Sequence, residues 1–213
     1  MFKRFPKLNS PYVREYKNNR ELYTVTDEIK PEYEWVFNNK NVEAIEKLDG
    51  ENVAIYINEK GKINSIYTRE GTEIKPFGFK NRSYIVQGVL ESYKRGWLDN
   101  MEHTQLHYGE LIGPSVKQNP YDLDKHMWVP FEYLRKKISY ESWGEYPQDF
   151  ESISNWFKNG LKPLFYLRIH NIPFHEEPKN AYVEGIIFNH PDGRKAKLRR
   201  NMFNWYYGGD ENE

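Results

Sequence analysis

The chain has 213 residues with 17 Tyr, 12 Phe and 6 Trp, no Cys, and 31 Lys plus Arg balanced by 31 Asp plus Glu. This composition fits a folded globular chain of one main domain and excludes a disulfide scaffold, a thiolate zinc site and a cysteine nucleophile. Zero net charge argues against a general polyanion binder, and the longest apolar run, Val53 to Ile57, is far too short to span a membrane.

The opening MFKRFPKLNS carries charge with no apolar stretch behind it, so no secretory signal is expected. The first forty residues are rich in charge, Pro, Asn and Tyr and lack clean periodicity. Six of their cations (Lys3, Arg4, Lys7, Arg14, Lys17 and Arg20) fall within the first twenty, so residues 1–40 are expected to form a basic segment packed on or appended to the core. Strands are predicted over 42–48, 52–57 and 63–68, the last two joined by the turn Asn58-Glu59-Lys60-Gly61. Val86, Val89, Leu90, Tyr93 and Trp97 recur at helical spacing, with Gly96 as the stop. Strands follow over 105–112 and 127–134. A second helix is read from Phe150, Ile153, Trp156 and Phe157, stopped by Gly160 and bracketed by Pro147 and Pro163. A hairpin then joins 181–188 to 194–200 through His190-Pro191-Asp192-Gly193, and residues 208–213 form a Gly-rich acidic tail. Hairpin-like connections dominate, so the fold class is α+β and not a doubly wound sheet.

Three stretches carry more charge than structure alone requires. In Glu46-Lys47-Leu48-Asp49-Gly50, a strand end presents a Lys between acids before a glycine turn. A partly desolvated amine is a nucleophile; a solvated charge cluster is the plainer reading. In 181–188, Glu184 shares an apolar strand face with Tyr182, Ile186 and Phe188, where an acid needs a cation or a structural salt bridge. In 194–200, Lys195, Lys197 and Arg199 alternate onto one face. Closure of the hairpin about Pro191-Asp192 sets Phe188 opposite Lys195 and Glu184 opposite Arg199, leaving surplus positive charge suited to a phosphate; a solvated strand face is the rival reading.

In this order along one chain, these stretches resemble the motifs of the covalent nucleotidyltransferases, the ATP-dependent RNA and DNA ligases and mRNA capping enzymes, with the phage and bacterial RNA ligase branch nearest. Glu46-Lys47-Leu48-Asp49-Gly50 matches the nucleophile motif, and Thr68-Arg69-Glu70-Gly71 looks like the next. Tyr108-Gly109-Glu110-Leu111-Ile112-Gly113 resembles the third and Pro130-Phe131-Glu132 the base-stacking motif. Glu184-Gly185-Ile186-Ile187-Phe188 and Lys195-Ala196-Lys197-Leu198 resemble the last two of the catalytic domain. A weaker likeness covers Gly113-Pro114 through Asn119-Pro120-Tyr121. The resemblance implies an ATP-grasp-like ligase adenylation fold, with antiparallel sheets flanking a nucleotide cleft. It implies that Lys47 attacks the α-phosphorus of ATP and holds AMP. Glu46 would read the adenine, with Phe131 stacking on it and Trp128 as the alternative stacker. Glu110 would hold a ribose hydroxyl, Arg69 the ribose or the incoming phosphate, Glu184 a Mg²⁺ or Mn²⁺, and Lys195 and Lys197 the α-phosphate. Asp49 would position the motif or a metal-bound water.

The implied activity is ATP-dependent joining of RNA 5′-phosphate and 3′-hydroxyl ends, in a cytoplasm, including that of a phage-infected bacterium. DNA nick ligation and a non-catalytic module for nucleotides or RNA ends are the alternatives. A nucleotidyltransferase domain is expected over residues 41–207, with no OB-fold domain after it. The usual second domain of such enzymes has no counterpart in the residues that remain. The basic N-terminal segment or a partner protein would then supply contacts to the RNA. The six His show no metal-ligand order, and no phosphate-binding glycine loop precedes a Gly-Lys-Ser/Thr sequence.

Overall fold

The computed structural model describes residues 2–17, 22–75, 83–145, 148–178 and 181–208. Arg20, Pro147 and most of the acidic tail, all singled out from the sequence, lie outside these residues. In chain order the main elements begin with strands β1 (Tyr12–Lys17) and β2 (Leu22–Ile29), the short helix α1 (Trp35–Asn38) and β3 (Glu43–Lys47). Next come β4 (Glu51–Ile57), β5 (Ile63–Thr68), α2 (Ser83–Lys94), β6 (Gln105–Ile112), β7 (Met127–Pro130) and α3 (Phe131–Lys137). The chain continues through α4 (Phe150–Asn155), a π-helical turn (Trp156–Gly160), α5 (Leu164–Ile169), β8 (Gly185–Asn189) and β9 (Lys195–Arg199). The class is α+β with antiparallel sheets, as the sequence predicts. Two compact units divide the chain: Met1–Pro6 with Leu48–Lys137, and Lys7–Lys47 with Ile138–Glu213.

The first unit is built on a four-stranded sheet of order β5-β4-β6-β7. Val53, Ile55 and Ile57 alternate onto one face of β4 and pack with Ile66, Leu111 and Trp128 against Ile85 and Val89 of α2, while Ala54 on the other face is buried as well. α2 turns Ile85, Gly88, Val89 and Ser92 inward at helical spacing. The Ser92 hydroxyl donates to the Trp128 carbonyl and accepts from the Trp128 N–H at 3.0 Å, so the polar group at this interface is satisfied.

One predicted strand is corrected here. The segment 127–134 is strand only through Pro130, which pairs with Gly109; α3 starts at Phe131. Beyond β7, Leu134 is the buried residue of α3, so the alternation stops. Glu132 in the first turn and Arg135, Lys136 and Lys137 in the last match the helix dipole.

The second unit holds a three-stranded sheet of order β3-β8-β9 and the two-stranded β1-β2 hairpin. That hairpin falls where the sequence shows no periodicity, because charged residues interleave with the aromatics. Tyr16 pairs with Tyr23 and Arg14 with Val25. Tyr12, 1% exposed, anchors β1 with its ring 5.2 Å from Phe37 and 5.1 Å, edge-on, from Phe150. The core of this unit is largely aromatic: Trp143 lies 4.7 Å from Phe188 and 6.0 Å from Trp156, and Phe157 lies 5.2 Å from Phe203. The second predicted helix forms as α4, whose N-cap Asp149 accepts from the Ser152 N–H at 2.9 Å, and passes into the π-helical turn that ends at Gly160.

The last hairpin differs from expectation in both start and register. β8 begins at Gly185, not at 181, and Phe188 pairs with Ala196, Gly185 with Arg199 and Asn189 with Lys195. The cause is the turn. His190 N–H donates to the Arg194 carbonyl at 3.0 Å, and Gly193 takes φ +94°, adding one residue to the loop that was expected to centre between Pro191 and Asp192. Ile186, Phe188, Ala196 and Leu198 therefore fill the core face, and Lys195, Lys197 and Arg199 share the other face with Ile187 and Asn189.

Candidate active site

In the second unit, β3 delivers Glu46 and Lys47 to opposite faces. Glu46 is 1% exposed and accepts from the Phe165 N–H, at the start of α5, at 2.8 Å. Burial raises its pKa to about 8, against a smaller opposing effect of the Phe165 and Leu164 amides, so the acid is mostly protonated at neutral pH. Its Oε1 is buried and has no hydrogen-bond partner among the described residues.

Lys47 ends β3 opposite Gly185. Its amine donates to Glu184 Oε2, and the other carboxylate oxygen lies 3.7 Å from Arg199 Nη1. Glu184 thus bridges Lys47 and Arg199. The predicted acid–Arg199 meeting occurs although the register is shifted: Glu184 sits just outside β8, and its carbonyl accepts from the Arg200 N–H at 2.9 Å. Gly185 makes this close approach possible, since a Cβ there would stand 2.1 Å from the Leu198 carbonyl oxygen and 2.6 Å from Arg199 Cα.

Lys197 joins this group electrostatically. Burial first, and then the positive charges of Arg199, Lys47 and Arg14, lower its pKa to about 8, against the opposing effect of Glu184. Lys195, on the same strand face, donates instead to Asn189 Oδ1 at the turn end of the hairpin. Arg14 and Tyr23, from the β1-β2 hairpin, were not among the residues read as functional. The only sequence signal was the basic character of the segment.

In the first unit, Gly50 packs where a Cβ would be 2.3 Å from the Leu111 carbonyl oxygen and 2.8 Å from Cγ of Glu110, so this turn of the nucleophile motif requires glycine. Glu110 lies opposite Asn52 across the β4–β6 pair. The Asp49 N–H donates to the fully buried Tyr121 hydroxyl at 2.6 Å. Tyr121 belongs to the Gly113–Tyr121 stretch, where Lys117, Gln118 and Asn119 hold successive φ angles of 49°, 59° and 55°. Three left-handed residues in a row are strained. The Asn119 side chain holds the loop by bonding both the N–H and the carbonyl of Leu123, at 3.1 and 2.8 Å.

Arg69 and Lys117 line a cavity of about 320 Å³ with Gly50, Asn52 and Tyr84. Phe131, the expected base stacker, opens α3 with its ring 5.0 Å from Phe5, which also meets Tyr108 at 5.2 Å. Trp128 is fully buried and donates its indole N–H to the Val53 carbonyl at 3.0 Å, which removes it as an alternative stacker. The structure therefore groups Lys47, Glu184, Lys197 and Arg199 in one unit, with Glu46 on the same strand as Lys47. It places Arg69, Glu110 and Phe131 in the other unit.

Solved structures that match this chain include Naegleria gruberi RNA ligase with PPi, 17% identical over 84% of this chain and 55% of that one, at TM-score 0.46. A variant of the Naegleria gruberi enzyme with ATP and Mn is 18% identical over 96% of this chain and 62% of that one, at TM-score 0.47. The chain thus spans less than two thirds of the length of either. Among curated proteins no sequence matches. The family model described as RNA ligase matches residues 40–205, from just before β3 to beyond β9 and so across every motif named above. The chain belongs to the RNA ligase family.

Proposed function

We propose that this chain is an ATP-dependent RNA ligase that works through a covalent lysyl-AMP and joins a 5′-phosphate end to a 3′-hydroxyl end. The observation that carries the reading is the contact of Lys47 with Glu184 and, through that carboxylate, Arg199, beside the half-buried Lys197. A nucleophile, one carboxylate and surplus positive charge are what attack on a polyanionic phosphate requires, since such reactions depend on positioning and charge neutralisation.

In the first step Lys47 Nζ, unprotonated and released from Glu184, attacks the α-phosphorus of ATP. An N–P bond forms, the bond to pyrophosphate breaks, and Lys197 and Lys195 balance charge on the α-phosphate. Glu46 suits adenine because its buried Oε1 lacks a partner. Phe131 would stack on the base, Glu110 would hold a ribose hydroxyl, and Arg69 would hold the ribose or the incoming phosphate. In the second step an oxygen of the RNA 5′-phosphate displaces Lys47 from the α-phosphorus, and Lys47 regains its proton. In the third the 3′-hydroxyl attacks the activated 5′-phosphorus and AMP leaves.

Among the described residues no group of three or more His, Asp or Glu is placed to hold a metal ion. A single carboxylate, Glu184, fits a divalent ion that keeps most of its waters and otherwise takes phosphate oxygens, as Mg²⁺ does. Glu184 would hold Mg²⁺ or Mn²⁺, and the chemistry supplied is neutralisation of phosphate charge. Among the described residues no helix is long and apolar enough to cross a membrane.

The test is sealing of 5′-phosphorylated nicked duplexes made of RNA or of DNA, with ATP and Mg²⁺. Sealing of the RNA nick by the wild type and loss of sealing in Lys47→Ala are expected. Preference for the DNA nick would transfer the assignment to DNA repair, and sealing by Lys47→Ala would remove Lys47 from the reaction.

A further inference from the structure

The β1-β2 hairpin lies outside residues 40–205 that match the family, yet its side chains reach the charged cluster around Lys47. The guanidinium of Arg14 lies over the Tyr23 ring, 4.4 Å from its centroid. The Tyr23 hydroxyl accepts from Arg199 Nη2 at 3.1 Å, and Arg199 Nη1 lies 3.7 Å from the carboxylate that holds Lys47. Arg14, Lys47 and Arg199 thus all act on the charge of Lys197, and Glu184 opposes them.

Two features of this arrangement point to a ligand. The Nε atoms of Arg14 and Arg199 are both buried and have no hydrogen-bond partner among the described residues. A buried donor on an ionised group is costly to leave unmade. The positive charge also exceeds what one carboxylate neutralises, and burial of like charges is unfavourable without a counter-ion. A guanidinium presents its donors as a flat fork that matches phosphate oxygens, and stacking on Tyr23 fixes the plane of that fork.

We propose that Arg14 and Arg199, aligned by Tyr23, bind a phosphate group beyond the one that Lys47 attacks. This group is either the pyrophosphate portion of ATP or the 5′-terminal phosphate of the RNA. The hairpin then supplies a substrate contact from outside the matched domain. The choice between those two phosphates rests on the ligase reading; the phosphate site itself does not.

The test measures binding by the full chain, with no reaction required. Inorganic pyrophosphate is titrated by calorimetry. Short RNAs with a 5′-phosphate or a 5′-hydroxyl are titrated by fluorescence anisotropy. Arg14→Gln is expected to weaken one of these phosphate ligands about tenfold or more, as loss of a charge-assisted pair does. Arg14→Lys should recover only part of that loss, because it restores charge without the fork. Tyr23→Phe, which keeps the stacked ring but frees Arg199, should weaken the same ligand. Weakened pyrophosphate alone assigns the site to the triphosphate. Loss of only the preference for 5′-phosphorylated over 5′-hydroxyl RNA assigns it to the RNA end. Unchanged binding of both in Arg14→Gln, with its unfolding midpoint retained, overturns the proposal. Should Arg14→Gln misfold, Arg14→Lys and Tyr23→Phe carry the same test. A wild type that forms no lysyl-AMP while Arg14→Gln still weakens pyrophosphate would sink the ligase reading and leave the phosphate site standing.

Discussion

Glu46 sits on the strand that carries Lys47 and is buried against α5, and its replacement by Gln tests what that burial does to stability. Its folded pKa stands at about 8 against an ordinary 4.5, with burial the leading cause. The folded state therefore holds a proton that the unfolded chain releases between these values. The stabilisation is complete below about pH 4.5 and is lost as pH rises through about 8. At 1.36 kcal/mol per unit, this gap corresponds to roughly 5 kcal/mol. That is an upper bound, because a carboxylate under such stress reaches water by local opening of β3 against α5. Glu46→Gln keeps the size and an oxygen for the Phe165 N–H while remaining neutral at every pH. Denaturant unfolding of both proteins from pH 5 to pH 9 measures the difference. The variant should match the wild type within about 1 kcal/mol near pH 5 and exceed it by a few kcal/mol at pH 9. Parallel stability profiles for the two proteins across this range would refute the argument that Glu46 is buried and protonated.

Other perturbations probe the remaining contacts. Gly185→Ala forces a Cβ to within 2.1 Å of the Leu198 carbonyl oxygen, so β8 must shift; a loss of about 1–3 kcal/mol in thermal unfolding is expected, together with weaker adenylylation. Tyr121→Phe leaves the Asp49 N–H without the partner it has at 2.6 Å, and should cost about 1–3 kcal/mol in chemical denaturation. Lys197, with its pKa lowered from 10.5 to about 8, should titrate near that value when reductively ¹³C-methylated and followed by NMR, and should move upward in Arg199→Gln as a positive neighbour is removed.

The parts of the fold that the sequence reveals are those in which local pattern and tertiary burial agree. β4 is a β-rich apolar run that is buried from Val53 to Ile55 and again at Ile57. α2 ends at Lys94, two residues before Gly96, whose φ of +71° favours glycine, although Leu90 and Tyr93 of its expected apolar face are exposed. Elsewhere the deciding facts are non-local. Phe131 to Leu134 is apolar enough for strand or helix, and only the end of pairing at Pro130 selects the helix. The register of β8 and β9 depended on whether Gly193 joins the loop, and one extra residue moved every cross-strand partner. β1 and β2 carry charge at positions that a periodicity search reads as loop. Their value lies in Tyr12, buried against Phe37, and in Arg14, stacked on Tyr23.

The candidate site divides along the same line. Motif order singled out Lys47, Glu184 and Lys197 as candidates, and in the structure Glu184 contacts both Lys47 and Arg199 while Lys197 feels the charge of all three. Motif order did not reveal that Lys195 would be drawn to Asn189, that Glu46 would meet the first turn of α5, or that Tyr121 would hold the Asp49 amide. Each of these contacts joins residues on different elements, so spacing along the chain carries no trace of it. The same holds for Arg14, whose only mark in the sequence was membership of a basic segment.

The most direct test of the central claim is the mass of the intact protein, and of its Lys47 peptide, after incubation with ATP and Mg²⁺. One covalent AMP on Lys47 is expected in the wild type and none in Lys47→Ala or Lys47→Arg, the latter because a guanidinium stays protonated and attacks poorly. An AMP adduct on the Lys47→Ala protein, or a wild type that stays unmodified with ATP, would contradict the claim.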